Sequence, residues 1–247
     1  PGWHLECSSM ANELLGDVID IHSGGEDNIF PHHECEIAQS CCKTGNDTFA
    51  HYWFHTRFLL VDGAKMAKSK GNFYTLRDLV GRGATPASIR LELIRTHYRS
   101  NANFTFQGLK DSQRQIDRWR RLADWLCENG CTKVNATPLQ EAKDKFLSAM
   151  CEDLNVAGAI GFLSEAVSEY AVDTKPIDGD GPSTLSDEFE ALRAIDSILG
   201  VIELETCVCT DNIDVEKIES LINVRLDARS NKDWSRADEI RDELCSM

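Results

Sequence analysis

Residues 17–22, Asp-Val-Ile-Asp-Ile-His, alternate polar and apolar positions with β-branched side chains, which is the period-2 signature of a strand. Ser23-Gly24-Gly25 follows as a turn. After Phe30-Pro31 the pattern predicts a helix from about His32 to Thr44, closed by Gly45. Residues 49–61 are rich in aromatic and apolar positions and are expected to hold a further helix and a strand. From Gly63 to Asn72 the chain is glycine- and lysine-rich with no hydrophobic period, as a loop would be. Thr75-Leu76-Arg77-Asp78 is a capping-box start. Beyond it the spacing predicts helices over about 86–98, 108–128, 139–151, 156–171 and 185–200. Residues 173–183, with two prolines and two glycines, predict an exposed loop, and a weaker linker at 204–212 precedes two short helices near 214–230 and 233–245. The order is an α/β piece, then a helical bundle, then a small helical tail.

Charge divides the chain in the same place. The 247 residues carry a net charge of −15. Residues 1–125 hold 15 basic and 15 acidic side chains, whereas 126–247 hold 11 basic and 26 acidic. All seven histidines fall in the first hundred residues, so the chemistry is expected there. An acidic total argues against a nucleic-acid partner unless basic residues cluster locally. No segment approaches the ~20 apolar residues that span a bilayer, and no apolar signal segment opens the chain. The ten cysteines form no paired framework, which points to a reducing, cytoplasmic setting. Pro1 and Met247 both read as cuts within a longer protein.

Three features carry chemistry. His32 and Glu36 lie four apart on the predicted helix and share a face, and Cys7 comes from another element. Thiolate, imidazole and carboxylate suit zinc with a position left open, but ordinary helix polarity beside a buried free cysteine gives the same pattern. Lys65-Met66-Ala67-Lys68-Ser69-Lys70-Gly71-Asn72 suits a polyphosphate, with a solvated surface loop as the alternative. Gly24-Gly25-Glu26-Asp27 follows the predicted strand, where ligands of open α/β sheets gather.

Four motifs occur in order: Pro-Gly-Trp-His-Leu-Glu-Cys-Ser (1–8), Asp-Ile-His-Ser-Gly-Gly-Glu-Asp (20–27), Phe-Pro-His-His-Glu-Cys-Glu-Ile-Ala-Gln (30–39) and Lys-Met-Ala-Lys-Ser-Lys-Gly-Asn-Phe (65–73). Together they closely resemble the cysteinyl-tRNA synthetases, a family of class I aminoacyl-tRNA synthetases. The resemblance continues through Thr96-His97-Tyr98-Arg99-Ser100 and Val224-Arg225-Leu226-Asp227-Ala228-Arg229 to Asp233-Trp234. It implies a Rossmann-like catalytic domain whose later part, with zinc site and lysine loop, spans 1–73. A connecting helical region (74–107), a tRNA-binding helical bundle (108–203) and a partial anticodon-side domain (204–247) would follow.

By position, the family's zinc ligands match Cys7, His32 and Glu36. Trp3 and His22 match residues around the amino-acid substrate, and Gly25 and Asp27 match the region meeting adenosine. Lys65 and Lys68 match the signature lysines, Lys68 contacting ATP. The implied activity is ATP- and Mg²⁺-dependent ligation of L-cysteine to its tRNA through cysteinyl-adenylate, with zinc selecting the substrate thiolate. A soft sulfur ligand binds zinc where a serine hydroxyl does not. A monomer is expected.

Three departures stand out. Ala67 occupies a position where serine is common, and Cys35 one where asparagine is usual. The family's His-x-Gly-His turn, and a fourth zinc-ligand cysteine before it, do not occur in these residues. The isolated chain is therefore expected not to form the adenylate and to bind zinc more weakly than a complete enzyme. For tRNA, two basic sets qualify: Arg114, Arg118 and Arg121, and Arg225, Arg229, Lys232 and Arg236. Solvated helix faces paired to nearby acids are the alternative. Two other functions compete: a cysteine–aminosugar ligase of thiol biosynthesis, which shares the zinc and lysine-loop motifs, and a non-catalytic RNA- or zinc-binding fragment.

Overall fold

The computed structural model describes residues 2–204 and 220–225, together with residues 236, 238, 240 and 241. Helix α1 (Trp3–Leu15) leads into strand β1 (Ile19–Gly25). A tight helical turn at Ile29–His33 then feeds helix α2 (Glu34–Thr44). Gly45 ends α2 in the left-handed conformation at φ 78°, which suits a residue without Cβ. Strand β2 (Ala50–Thr56) returns parallel to β1, with Ile19 opposite Ala50 and His22 opposite Trp53. The unit is thus β-α-β, with α1 and α2 packed together. Polar bonds tie the two helices: Ser8 Oγ to Gln39 Oε1 at 3.1 Å and Asn12 Nδ2 to Ser40 Oγ at 3.3 Å.

The helix expected within 49–61 is not there. Residues 50–56 form β2, and the next strand, β3 (Leu59–Val61), follows almost at once. Aromatic and apolar residues in a short run fit either element, and pairing with β1 decides for the strand. Ser23-Gly24-Gly25 is likewise the end of β1 and not a turn. Strand β4 (Ala64–Lys65) pairs antiparallel to β3, so the lysine segment begins in a sheet.

Helix α3 (Leu76–Gly81) starts at the expected capping box, with Thr75 and Asp78 bonded reciprocally. Helix α4 (Pro86–Ile94) ends four residues before the expected limit. The chain then turns back, and Tyr98 O accepts from Arg57 N at 2.8 Å. Strand β5 (Ala102–Phe104) completes a small sheet by pairing parallel to β3. Thr105 caps α5 (Phe106–Glu128). Its buried residues, Leu109, Ser112, Ile116, Trp119, Leu122, Ala123 and Leu126, follow the helical period.

Strand β6 (Lys133–Val134), α6 (Pro138–Cys151), α7 (Val156–Ser168), β7 (Ser183–Thr184) and α8 (Leu185–Leu199) complete the described helical part, β6 pairing antiparallel with β7. Its core runs from Ala87 and Leu91 of α4 through Trp119, Phe146, Leu163 and Leu192. Each such large side chain, fully buried, contributes ~1.5–3 kcal/mol relative to exposure. The core under the β1–β2 sheet is far smaller: Ile19, Phe49 and Ala50. Cys127 is disulfide-bonded, while Cys7, Cys35, Cys41, Cys42 and Cys151 are free. Among the described residues no helix is long and apolar enough to cross a membrane. Most of the two tail helices expected near 214–230 and 233–245 lies outside the described residues.

Candidate metal and substrate site

The polar ties between α1 and α2 set Cys7 against the first turn of α2. There Cys7, His32 and Glu36 bring one ligand atom each to within 4.8 Å of one another. Glu36 is fully buried. Its Oε1 lies 2.9 Å from His32 Nε2 and its Oε2 lies 2.7 Å from His22 Nε2. Yet neither carboxylate oxygen has a hydrogen bond of acceptable geometry. A buried carboxylate without proper donors is costly, and a cation among these groups would satisfy it. The donor set of sulfur, imidazole nitrogen and carboxylate oxygen is one that zinc accepts. The residues present therefore fit zinc.

Burial raises the Cys7 thiol above its ordinary pKa, and the negative charge of Glu36 adds to this. A metal would reverse that preference by favouring thiolate. Trp3 covers the site from α1, its ring centroid 3.9 Å from that of His32. Cys35 belongs to neither ligand cluster among the described residues.

A second cluster adjoins the first. His22, His33 and Glu36 also converge within 4.8 Å. His33 Nδ1 lies 2.8 Å from His55 Nε2, which places one proton between the two rings. Burial lowers the pKa of His33, reinforced by the neighbouring His22; the same two causes lower that of His55. The approach of His33 depends on Gly24, where a Cβ would stand 2.7 Å from the His33 ring. Trp53 stacks with His55, interplanar angle 8°. Sequence reasoning had singled out His22 alone from this group and missed His33, Trp53 and His55. The link is the strand itself: 53 and 55 share a face of β2, and Trp53 is in register with His22.

The remaining site residues lie outside these two clusters. Gly25 ends β1, and Asp27 lies in the turn after it, whose Glu26 pairs with Arg57 at 3.0 Å. The lysine loop is clipped by Asn72, which accepts from Ala67 N at 2.9 Å and donates to Lys65 O at 3.2 Å. Lys65 and Lys68 lie over Phe58 and Phe73, at 5.1 and 5.3 Å from the ring centroids. Among the described residues neither lysine has an ion-pair partner, so both charges are available to an anion. On α5, Arg114 pairs with Asp111 at 3.1 Å, whereas Arg118 and Arg121 are exposed with no carboxylate partner among the described residues. Arg225 is half-buried and Arg236 exposed, and each has interaction partners; Arg229 and Lys232 lie outside the described residues.

Comparison with known proteins finds similar chains among the tRNA synthetases. Residues 1–114 match the family model of the tRNA synthetases class I (C) catalytic domain. The whole chain is 41% identical to a cysteine–tRNA ligase of Brachyspira hyodysenteriae, of which it covers 53%. A cysteine–tRNA ligase of Chlamydia pneumoniae is 42% identical over 99% of the chain, which covers 51% of it. The chain thus spans about half the length of the curated relatives it matches. In fold it is similar to the Agrobacterium radiobacter K84 agnB2 LeuRS, solved as a ternary complex with tRNA and LeuAMS. That match has a TM-score of 0.55 and 18% identity, and it covers 74% of this chain and 26% of that one. Over the length it spans, the chain is similar to cysteine–tRNA ligases, with a match to the class I (C) synthetase catalytic domain over residues 1–114.

Proposed function

We propose that the chain carries the cysteine-selecting, lysine-loop and tRNA-contacting parts of an enzyme that joins L-cysteine to its tRNA at the expense of ATP. The observation that carries this is the buried Glu36 carboxylate, without proper donors, beside Cys7 and His32. Cys7, His32 and Glu36 would hold zinc, whose preference for soft sulfur over oxygen distinguishes cysteine from serine at binding, without an editing site.

The chain's own residues do the rest by position. Trp3 packs over the site and His22 lines it. Gly25 and Asp27 flank the adenosine, and Lys65 and Lys68 stabilise charge developing on the ATP phosphates, which enter with Mg²⁺. Residues 1–73 are then the later part of a Rossmann-like catalytic domain and 74–107 the connection. Residues 108–203 form the bundle that meets tRNA through Arg114, Arg118 and Arg121, and 204–247 part of an anticodon-side domain. Arg225, Arg229, Lys232 and Arg236 extend the RNA contact.

Two measurements test this. Zinc titration of the 247-residue chain is expected to give one site that releases a proton on binding and is lost in Cys7→Ser. Because zinc must displace that proton, its affinity falls about tenfold per pH unit below the Cys7 pKa. Cysteine-dependent pyrophosphate exchange by the isolated chain is expected to be negligible; robust exchange would show that the chain is a complete catalytic unit. Zinc-independent behaviour of wild type and Cys7→Ser alike would remove the basis for cysteine selection.

A further inference from the structure

Away from the histidine site, α3, α4 and α5 enclose a cavity of about 180 Å³. Its floor is apolar, from Leu79, Ala84, Phe106 and Leu109, and Arg82 and Lys110 stand on its exposed side. No acidic side chain lines it. The space is below the ~300 Å³ at which pockets for drug-sized ligands begin, and it suits one planar ring. The Arg82 guanidinium sits 4.9 Å from the Tyr74 ring centroid and 5.1 Å from that of Phe106. Seated on these two rings, it is held as a plane on which a further ring can stack. Among the described residues neither Arg82 nor Lys110 has an ion-pair partner. Lys110 also begins an exposed row on α5, continued by Arg114, Arg118 and Arg121. These positions recur at four, eight and eleven residues, along one helix face.

We infer that this pocket takes a single unstacked base of an RNA strand whose phosphates follow the basic face of α5. The apolar floor accepts the ring, Arg82 stacks on it, and Lys110 meets the adjoining phosphate. This rests on tRNA being the partner, and it adds a base-capturing element where the basic row alone would grip only the backbone.

The test measures binding of a cysteine tRNA transcript to the 247-residue chain and to the variants Ala84→Phe, which fills the pocket, and Arg82→Gln. Both are expected to weaken binding about tenfold. Arg82→Gln should lower the slope of log K against log salt by about one, whereas Ala84→Phe should leave the slope unchanged. Base-directed chemical probing is expected to show one nucleotide protected by the wild type and exposed with Ala84→Phe. If wild type binds and both variants bind equally well, the pocket inference is overturned while the tRNA function stands. If the folded wild type does not bind the transcript, both fall. Binding of AMP without binding of the transcript overturns the RNA occupant in favour of a mononucleotide site. Arg82→Gln alters one exposed side chain, so it decides the matter even if Ala84→Phe fails to fold.

Discussion

Replacing Glu36 by glutamine separates a metal ligand from a structural ion pair, because the two roles predict opposite signs. Glu36 is fully buried, with His22 Nε2 at 2.7 Å and His32 Nε2 at 2.9 Å, yet neither carboxylate oxygen accepts a well-formed hydrogen bond. Glutamine keeps the volume, removes the charge and offers its amide N–H to an imidazole nitrogen. In the metal-free chain the substitution therefore relieves the desolvation cost of a poorly satisfied buried group, which is about 1–3 kcal/mol. Glu36→Gln should stabilise the chelator-treated protein by about that amount in urea denaturation. The same change should weaken zinc binding by more than the 10–100-fold typical for losing an outer-shell partner, as read by competition with a chromophoric chelator. A structural carboxylate–imidazolium pair would behave otherwise. Breaking it would cost about 3–5 kcal/mol and leave zinc affinity untouched. That pair of results would refute the assignment of Glu36 as a ligand.

In the helical part, Glu188 is fully buried and accepts from Leu139 N at 2.8 Å and from the Tyr170 hydroxyl. Burial, with the Glu188 bond, pushes the Tyr170 pKa far up, so the hydroxyl stays protonated and donating. Tyr170→Phe should cost about 1–3 kcal/mol in urea denaturation, and no loss would mean that Glu188 is served by other partners. Asp153 is held below the usual carboxylate range first by the Tyr98 hydroxyl and then by Arg99 and His97. A carboxyl depressed by folding adds stability above the ordinary Asp pKa and loses it as pH falls through the folded value. Asp153→Asn should therefore flatten the stability–pH curve below about pH 4, with an unchanged slope counting against the Tyr98–Asp153 bond in solution.

The helical part was largely legible in the sequence because its signals are local. Thr75 with Asp78 and the apolar period of α5 each specify their element without help from distant residues. The sheet was less legible because strand pairing is not local. Residues 50–56 become β2 only by lying beside β1, and Ser23-Gly24-Gly25 stays extended because Trp53, Phe54, His55 and Thr56 pair alongside it. Of the proposed ligands, His32 and Glu36 were legible as a pair because they are spaced to share a helix face. Its extension to His33 and His55 depends on a ring lying against Gly24, an approach that no spacing along the chain reveals. The charge total pointed away from RNA, yet Arg118 and Arg121, which have no carboxylate partner among the described residues, lie on an exposed helix face where a sum cannot register them.

The disparity between the two cores has a consequence for how the molecule opens. The pair β1–β2 rests on Ile19, Phe49 and Ala50, and its outward side chains Ile21 and Tyr52 are 66% and 72% exposed. A two-stranded sheet so thinly backed belongs at the low end of the local-unfolding spectrum, far below the helices around Trp119 and Phe146. Amides of 19–25 and 50–56 should exchange with deuterium by sub-global opening while those of α5 wait for complete unfolding. The proposed ligands come from α1, from the turn entering α2 and from the first turn of α2 itself, so a bound ion would rivet together the part that otherwise breathes. By mass action, metal occupancy would then set the lifetime of the closed site and leave the helical part indifferent to it.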